Sequence, residues 1–314
     1  MKIKALLSAT LTALCITFLT SQPVLAEEAL PDVRIQISPV SSLVPLPASS
    51  SREYTFSVEN TGAKTFSYKV YTTPYSIDTS TDEYQNSFSQ ETSYTQITRW
   101  ISFKDINGQW KDTVTFRINP TEKQTITYRI QVPADVPAGG QYATIFSEAL
   151  NDNVSAEGIR TISRVGLVVY GHSIGDTVLN AQITDLDLSR FLTKGNIGGS
   201  ARIKNEGNVD FTATHTFTVK TLFGKTLYEQ DIVSSVLPET ERVIREEWEN
   251  TPFMGFFAVT YRIVAVDQME EQTNVVLIMP VSMIIILLIL LTGFIIWAIM
   301  LNRRRRERRS RLVM

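Results

Sequence analysis

The sequence predicts an all-β protein: two tandem β-sandwich domains followed by one C-terminal transmembrane helix. Alternating runs dominate the middle of the chain, three landmarks recur there in the same order, and an uncharged apolar stretch follows. Tyr54-Thr55-Phe56-Ser57-Val58 and Val114-Thr115-Phe116-Arg117-Ile118 place apolar residues on one face and polar ones on the other, as half-buried strands do. Thr125-Ile126-Thr127-Tyr128-Arg129-Ile130-Gln131-Val132 repeats the pattern. Residues 167–170 and 256–266 are more continuously apolar, which suits central strands between packed layers. Asn107-Gly108 predicts a tight hairpin turn, and Phe223-Gly224 a second one. No stretch between residues 27 and 277 carries a long amphipathic helix, so sandwiches of the immunoglobulin-like type are expected.

The landmarks argue for two copies of one plan. Asn60, Gly62 and Phe66 recur with the same spacing as Asn205, Gly207 and Phe211. Pro120-Thr121-Glu122-Lys123-Gln124-Thr125-Ile126 answers Pro238-Glu239-Thr240-Glu241-Arg242-Val243-Ile244. Pro137-Ala138-Gly139-Gly140-Gln141-Tyr142 answers Pro252-Phe253-Met254-Gly255-Phe256-Phe257. Each is turn chemistry placed before a strand, and three ordered pairs mean more than one. The first domain is expected over 27–172 and the second over 173–277, joined through Gly171-His172-Ser173-Ile174-Gly175. The first is longer, with 60 positions from Asn60 to Pro120 against 33 from Asn205 to Pro238. The excess is an insertion at 73–98, rich in Ser, Thr and Gln. Its aromatic residues Tyr75, Tyr84, Phe88 and Tyr94 are the candidate partner contacts, because a loop on a rigid scaffold is where binding residues gather. Trp100 and Trp110 flank the Asn107-Gly108 hairpin and read as packing residues more than as a sugar-stacking platform.

The ends predict topology. Lys2 and Lys4 precede an apolar run that closes on Val24-Leu25-Ala26, so residues 1–26 read as an export signal cleaved after Ala26. Residues 278–301 read as the transmembrane helix; from Val281 onward they carry no charge, enough apolar helix to cross a bilayer. Residues 302–314 form a basic tail with Arg303, Arg304, Arg305, Arg306, Arg308, Arg309 and Arg311. Positive charge holds its side of a span in the cytoplasm, so the sandwiches are expected outside, in a single-pass protein of the cell membrane facing the wall.

Composition narrows the function. Of 30 Lys and Arg, two fall in the first 26 residues and seven in the tail, whereas of 32 Asp and Glu only Glu307 lies there. The region between therefore carries about ten negative charges, which disfavours nonspecific capture of nucleic acid. Cys15, the single cysteine, sits in the expected signal, leaving no disulfide and no thiolate chemistry in the mature chain. Two histidines, His172 in the expected linker and His215 on an apolar strand face, have no sequence tie to a nucleophile or a metal set. Asp185-Leu186-Asp187 offers too few ligands for a calcium loop. No cofactor, no metal and no catalysis are expected. Leu237-Pro238-Glu239-Thr240-Glu241 approaches a sortase signal, but Glu241 stands where Gly is needed, so it reads as a structural turn.

The layout resembles the WxL-interacting proteins of Gram-positive bacteria. Locally the resemblance rests on Ile35-Gln36-Ile37-Ser38-Pro39, on Val132-Pro133 with Gly139-Gly140-Gln141-Tyr142, and on Ile278-Met279-Pro280. Pro47-Ala48-Ser49-Ser50-Ser51 stands where an aromatic-and-Asp segment would be expected, which marks a diverged member. The resemblance implies a tether: a first domain associated with peptidoglycan, and a second with a partner protein, holding WxL-type surface proteins near the wall. A carbohydrate-binding adhesin and an accessory subunit of a membrane complex remain the alternatives.

Overall fold

The computed structural model describes residues 32–78, 85–150 and 163–310. The expected export signal, Tyr84 and Arg311 lie outside these residues. Among the described residues the fold is two tandem β-sandwiches and one α-helix.

The first sandwich takes β1 (Ile35–Ser38), β2 (Ser41–Leu46), β3 (Ser51–Asn60) and β4 (Phe66–Pro74). A small hairpin of β5 (Ser76–Asp78) and β6 (Gln85–Ser87) follows, then a 3-10 turn at Gln96–Arg99. The sandwich is completed by β7 (Ile101–Lys104), β8 (Trp110–Lys111), β9 (Thr113–Ile118), β10 (Lys123–Gln131), β11 (Gly140–Leu150) and β12 (Arg164–Ser173). One sheet runs β1-β3-β10-β7-β8 and the other β2-β12-β11-β4-β9. Phe56, Val58, Ile126, Tyr128 and Ile130 from the first sheet meet Tyr68, Val70, Ala143, Ile145 and Val169 from the second in one apolar core. The alternation read from the sequence is what makes this possible, since every second side chain points inward.

The second sandwich comprises β13 (Ala181–Leu188), β14 (Phe191–Leu192), β15 (Ile197–Asn205), β16 (Phe211–Thr221), β17 (Thr226–Val236), β18 (Glu241–Trp248), β19 (Gly255–Ala265) and β20 (Gln268–Ile278). Its sheets run β13-β15-β18 and β14-β20-β19-β16-β17. The order matches the first sandwich strand for strand, without the material between β4 and β9. Even the parallel edge recurs: β2 lies parallel to β12, and β14 parallel to β20. Phe217, Tyr261, Trp248, Phe257 and Ile203 lie in the second core.

The repeated asparagine has a sharper role than turn formation. Asn60 and Asn205 are both fully buried. Each accepts from the backbone N–H of the glycine two residues on, at 2.9 Å, and donates to a carbonyl four residues on, at 2.9 Å. A buried amide with its bonds made fixes the turn, whereas an unpaired one would destabilise it. The prolines of the second landmark likewise lead into left-handed residues, Thr121 at φ 62° and Glu239 at φ 57°. Glu239 lies in the near-sortase motif, where Thr240 Oγ1 donates to the Leu237 carbonyl at 2.7 Å. That segment is a turn between β17 and β18.

Three local details depart from the sequence reading. His172 stands inside β12, paired with Gly140, rather than in a linker. The insertion is not a solvated loop. Ile97 of its 3-10 turn is fully buried in the first core, and Ile77 is buried as well. Ile77 packs with Tyr142 and Phe88 with Phe146, so the insertion covers the outer side of β11 and that strand is buried on both faces. Finally, the helix α1 (Val281–Ser310) begins after Ile278, which closes β20, and runs on through residues expected as tail. Its stretch from Val281 to Asn302 is long and apolar enough to cross a membrane.

Candidate functional site at the domain junction

The two sandwiches meet through a polar clamp and an adjoining cleft. The clamp centres on Asp210, in the turn that enters β16. Tyr142 of β11 donates its hydroxyl to Asp210 Oδ1 at 2.9 Å and accepts from the Asp210 backbone N–H at 2.8 Å. The same carboxylate oxygen lies 2.7 Å from His172 Nε2. Tyr142 is buried, so its phenol is pushed far above its ordinary range, first by desolvation and then by the Asp210 carboxylate. It stays a neutral donor at any physiological pH.

Backbone contacts surround the clamp. Gly140 donates to the Asn208 carbonyl at 2.8 Å. Gly139, at φ +107°, lies so close to that carbonyl that a Cβ would collide with it. Glycine is required here twice over, for the dihedral and for the approach. Asn208 in turn accepts from the Val178 N–H at 2.7 Å and donates to the Asp176 carbonyl at 2.9 Å. The connecting segment is thereby laid against the second sandwich.

The cleft opens beside the clamp, with a volume of about 170 Å³. Tyr75, Ile77 and Tyr94 from the insertion form one wall; Leu237 and Glu239 from the β17–β18 turn form the other. Ile77, Tyr142 and Leu237 pack as an apolar floor, with Tyr75, Tyr94 and Tyr170 against it. The Tyr94 hydroxyl donates to Glu239 Oε1 at 3.0 Å across the mouth. Burial and that carboxylate raise the Tyr94 phenol to about 12. The arrangement joins a small apolar socket to an acidic, hydrogen-bonding rim. It suits an apolar side chain flanked by polar backbone groups.

No protein-family model and no curated protein matches the sequence. Among solved structures the chain is similar to the class 5 fimbriae chaperone CfaA, at 14% identity and a TM-score of 0.36, over 79% of this chain and 100% of that one. A second is the periplasmic chaperone SfaE, at 10% identity and a TM-score of 0.34, over 77% of this chain and 100% of that one. A third is the CsuC–CsuE chaperone–tip adhesion subunit complex of Acinetobacter baumannii, at 12% and 0.36, over 67% and 89%.

Of the residues singled out from the sequence, the structure brings Tyr75 and Tyr94 together in the cleft. Phe88 does not line the cleft but adjoins it, 6.2 Å from the Tyr75 ring, edge-on to Phe146 at 5.1 Å and beneath the Arg164 guanidinium. Trp100 packs against the first core, and Trp110 lies under Arg129 at 4.4 Å. His215 is fully buried in the second core, and neither ring nitrogen has a hydrogen-bond partner among the described residues. Desolvation, then Arg242, lower its pKa to about 4. Among the described residues no cluster of three His, Cys, Asp or Glu side chains is placed to hold a metal ion. Tyr142, Asp210 and Glu239 were not legible as a site, because they come together only when the sandwiches dock. All three do stand within the landmark blocks, which is the one signal the sequence offers.

Proposed function

We propose that the chain is a membrane-tethered binding scaffold on the outer face of a Gram-positive-type cell, holding a WxL-type surface protein against peptidoglycan. The observation that carries this reading is continuity. β20 ends at Ile278 and the apolar helix begins at Val281, with only Met279 and Pro280 between. Met279 also donates to the Leu192 carbonyl at 2.9 Å, so the connection is fastened to the second sandwich. The Tyr142–Asp210–His172 clamp then couples the second sandwich to the first. A stiff two-domain stalk on a membrane helix positions a partner and needs no chemistry of its own. The positive flank of the helix supports the outward orientation of the stalk.

The cleft is the partner site in this reading, with Tyr94 and Glu239 at its rim. Aromatic side chains over a desolvated socket are the usual carriers of interface energy. Trp100 and Trp110 are committed to packing, which leaves the adhesin reading without a platform there. The test is binding of full-length protein in nanodiscs to purified peptidoglycan and, separately, to a purified WxL-type protein. Tyr94→Ala with Glu239→Ala is expected to weaken one of these at least tenfold at unchanged circular dichroism. Normal binding by the double variant would move the site off the cleft, and no binding of either ligand by the parent would end the tether reading.

A further inference from the structure

We infer that the end of the second sandwich nearest the helix is itself a membrane-contact surface, a collar of apolar loop tips seated in the outer leaflet around the emerging helix. The inference rests on the spanning role of the helix. Strand register defines the collar. Ile278, the last residue before the exit, pairs with Gly255 and with Leu192, and one row further back Leu277 pairs with Phe256 and Phe191. Phe257 pairs with Thr221, so the tip of the β16–β17 hairpin projects in the direction in which the chain leaves for the helix. Thr221 lies two rows behind Ile278, and the next two residues, Leu222 and Phe223, bring the tip back level with it.

The side chains at this level are apolar and uncovered. Phe223 is 100% exposed and Phe253 69%, and Leu222, Met254 and Phe191 are each more than half exposed. Single exposed apolar residues are ordinary, but five gathered around one chain exit are not. Lys194 and Lys225 lie exposed in the same loops, with Glu249 the acid among them. That balance suits anionic headgroups.

Length places the collar at the right depth. The 22 residues from Val281 to Asn302 extend about 33 Å as a helix, close to the roughly 30 Å of a bilayer core. Val281 therefore sits at the core boundary, and Ile278 falls within the headgroup layer. The loop tips level with Ile278 meet that layer too. Phenylalanine and leucine at this depth bury apolar surface while their backbone keeps water and headgroup partners. Seated this way, the collar fixes the tilt of the stalk, which a single helix alone would leave free.

The experiment uses the full-length protein in vesicles of mixed neutral and anionic lipid, on a Cys15→Ser background because Cys15 is the only native cysteine. Spin labels are placed at Phe223→Cys, Met254→Cys, Ile296→Cys in the helix, and Met269→Cys, nine residues up β20 and about 30 Å away. Collision with oxygen relative to a polar nickel chelate reads the depth. The ratio is expected several-fold higher at Phe223→Cys and Met254→Cys than at Met269→Cys, and highest at Ile296→Cys. Aqueous values at both collar sites with a lipid value at Ile296→Cys would overturn the collar and leave the anchor standing. An aqueous value at Ile296→Cys would overturn both. Labels at the collar shielded from both reagents and broadened by a neighbouring label would mean that a second copy covers the tips, and would overturn the proposal as well.

Discussion

Single residues set two conditions on this molecule. Gly139 carries a positive φ and leaves no room for a Cβ beside the Asn208 carbonyl. Gly139→Ala is expected to cost about 1–3 kcal/mol in chemical denaturation and to loosen the junction, read as a wider interdomain distance distribution. His215 makes a separate condition on pH. Its native pKa is about 4, below the roughly 6.5 of an exposed imidazole. Above pH 6.5 both states are neutral and nothing is lost. As pH falls toward 4 the unfolded chain takes up the proton and the native one does not, so stability drops across that window by up to about 3 kcal/mol. Thermal melts of a His215→Leu variant should decline less steeply from pH 6.5 to 4 than those of the parent. Since both ring nitrogens lack partners among the described residues, leucine should not destabilise at pH 5. The apolar company of His215 was visible in its strand face, whereas the missing partners were not, because they depend on what the opposite sheet presents.

At the scale of elements, the insertion between β4 and β7 matters most. A run of Ser, Thr and Gln reads as a solvated loop, yet Ile97 reaches the first core and Ile77 and Phe88 cover Tyr142 and Phe146 of β11. Ile97→Ala is therefore expected to cost about 2–5 kcal/mol, as other buried large-to-small changes do, measured as a lowered denaturation midpoint. Replacing residues 76–98 with a Gly-Ser link should lower it further by exposing the outer face of β11. A midpoint unchanged in both variants would return the segment to the surface. Polar composition hid this role because a few apolar side chains suffice to anchor a segment whose other residues face water. The repeat landmarks were legible for the opposite reason: a turn demands particular residues at fixed spacing, and the buried amides of Asn60 and Asn205 meet that demand in both copies.

On the scale of the whole molecule, the clamp decides whether the sandwiches move as one. Asp210 takes bonds from both Tyr142 and His172, so Tyr142→Phe and Asp210→Asn should be non-additive, with a coupling of about 0.5–3 kcal/mol. Additive losses would mean that the clamp is incidental. Topology has its own check: protease added to wall-stripped protoplasts should remove the sandwiches and spare the arginine end of the helix, and protection of the sandwiches would reverse the orientation. The β class, the doubling of the plan and the apolar helix could all be read along the chain. Each is written in local periodicity, in turn residues or in an unbroken uncharged run, and each is set by neighbours along the chain. Folding alone brings Tyr142 and His172 of one sandwich to Asp210 of the other, Tyr94 to Glu239, and Phe223 level with the exit of the helix. Those pairs lie far apart in sequence and are joined by docking and strand register, which no local pattern encodes.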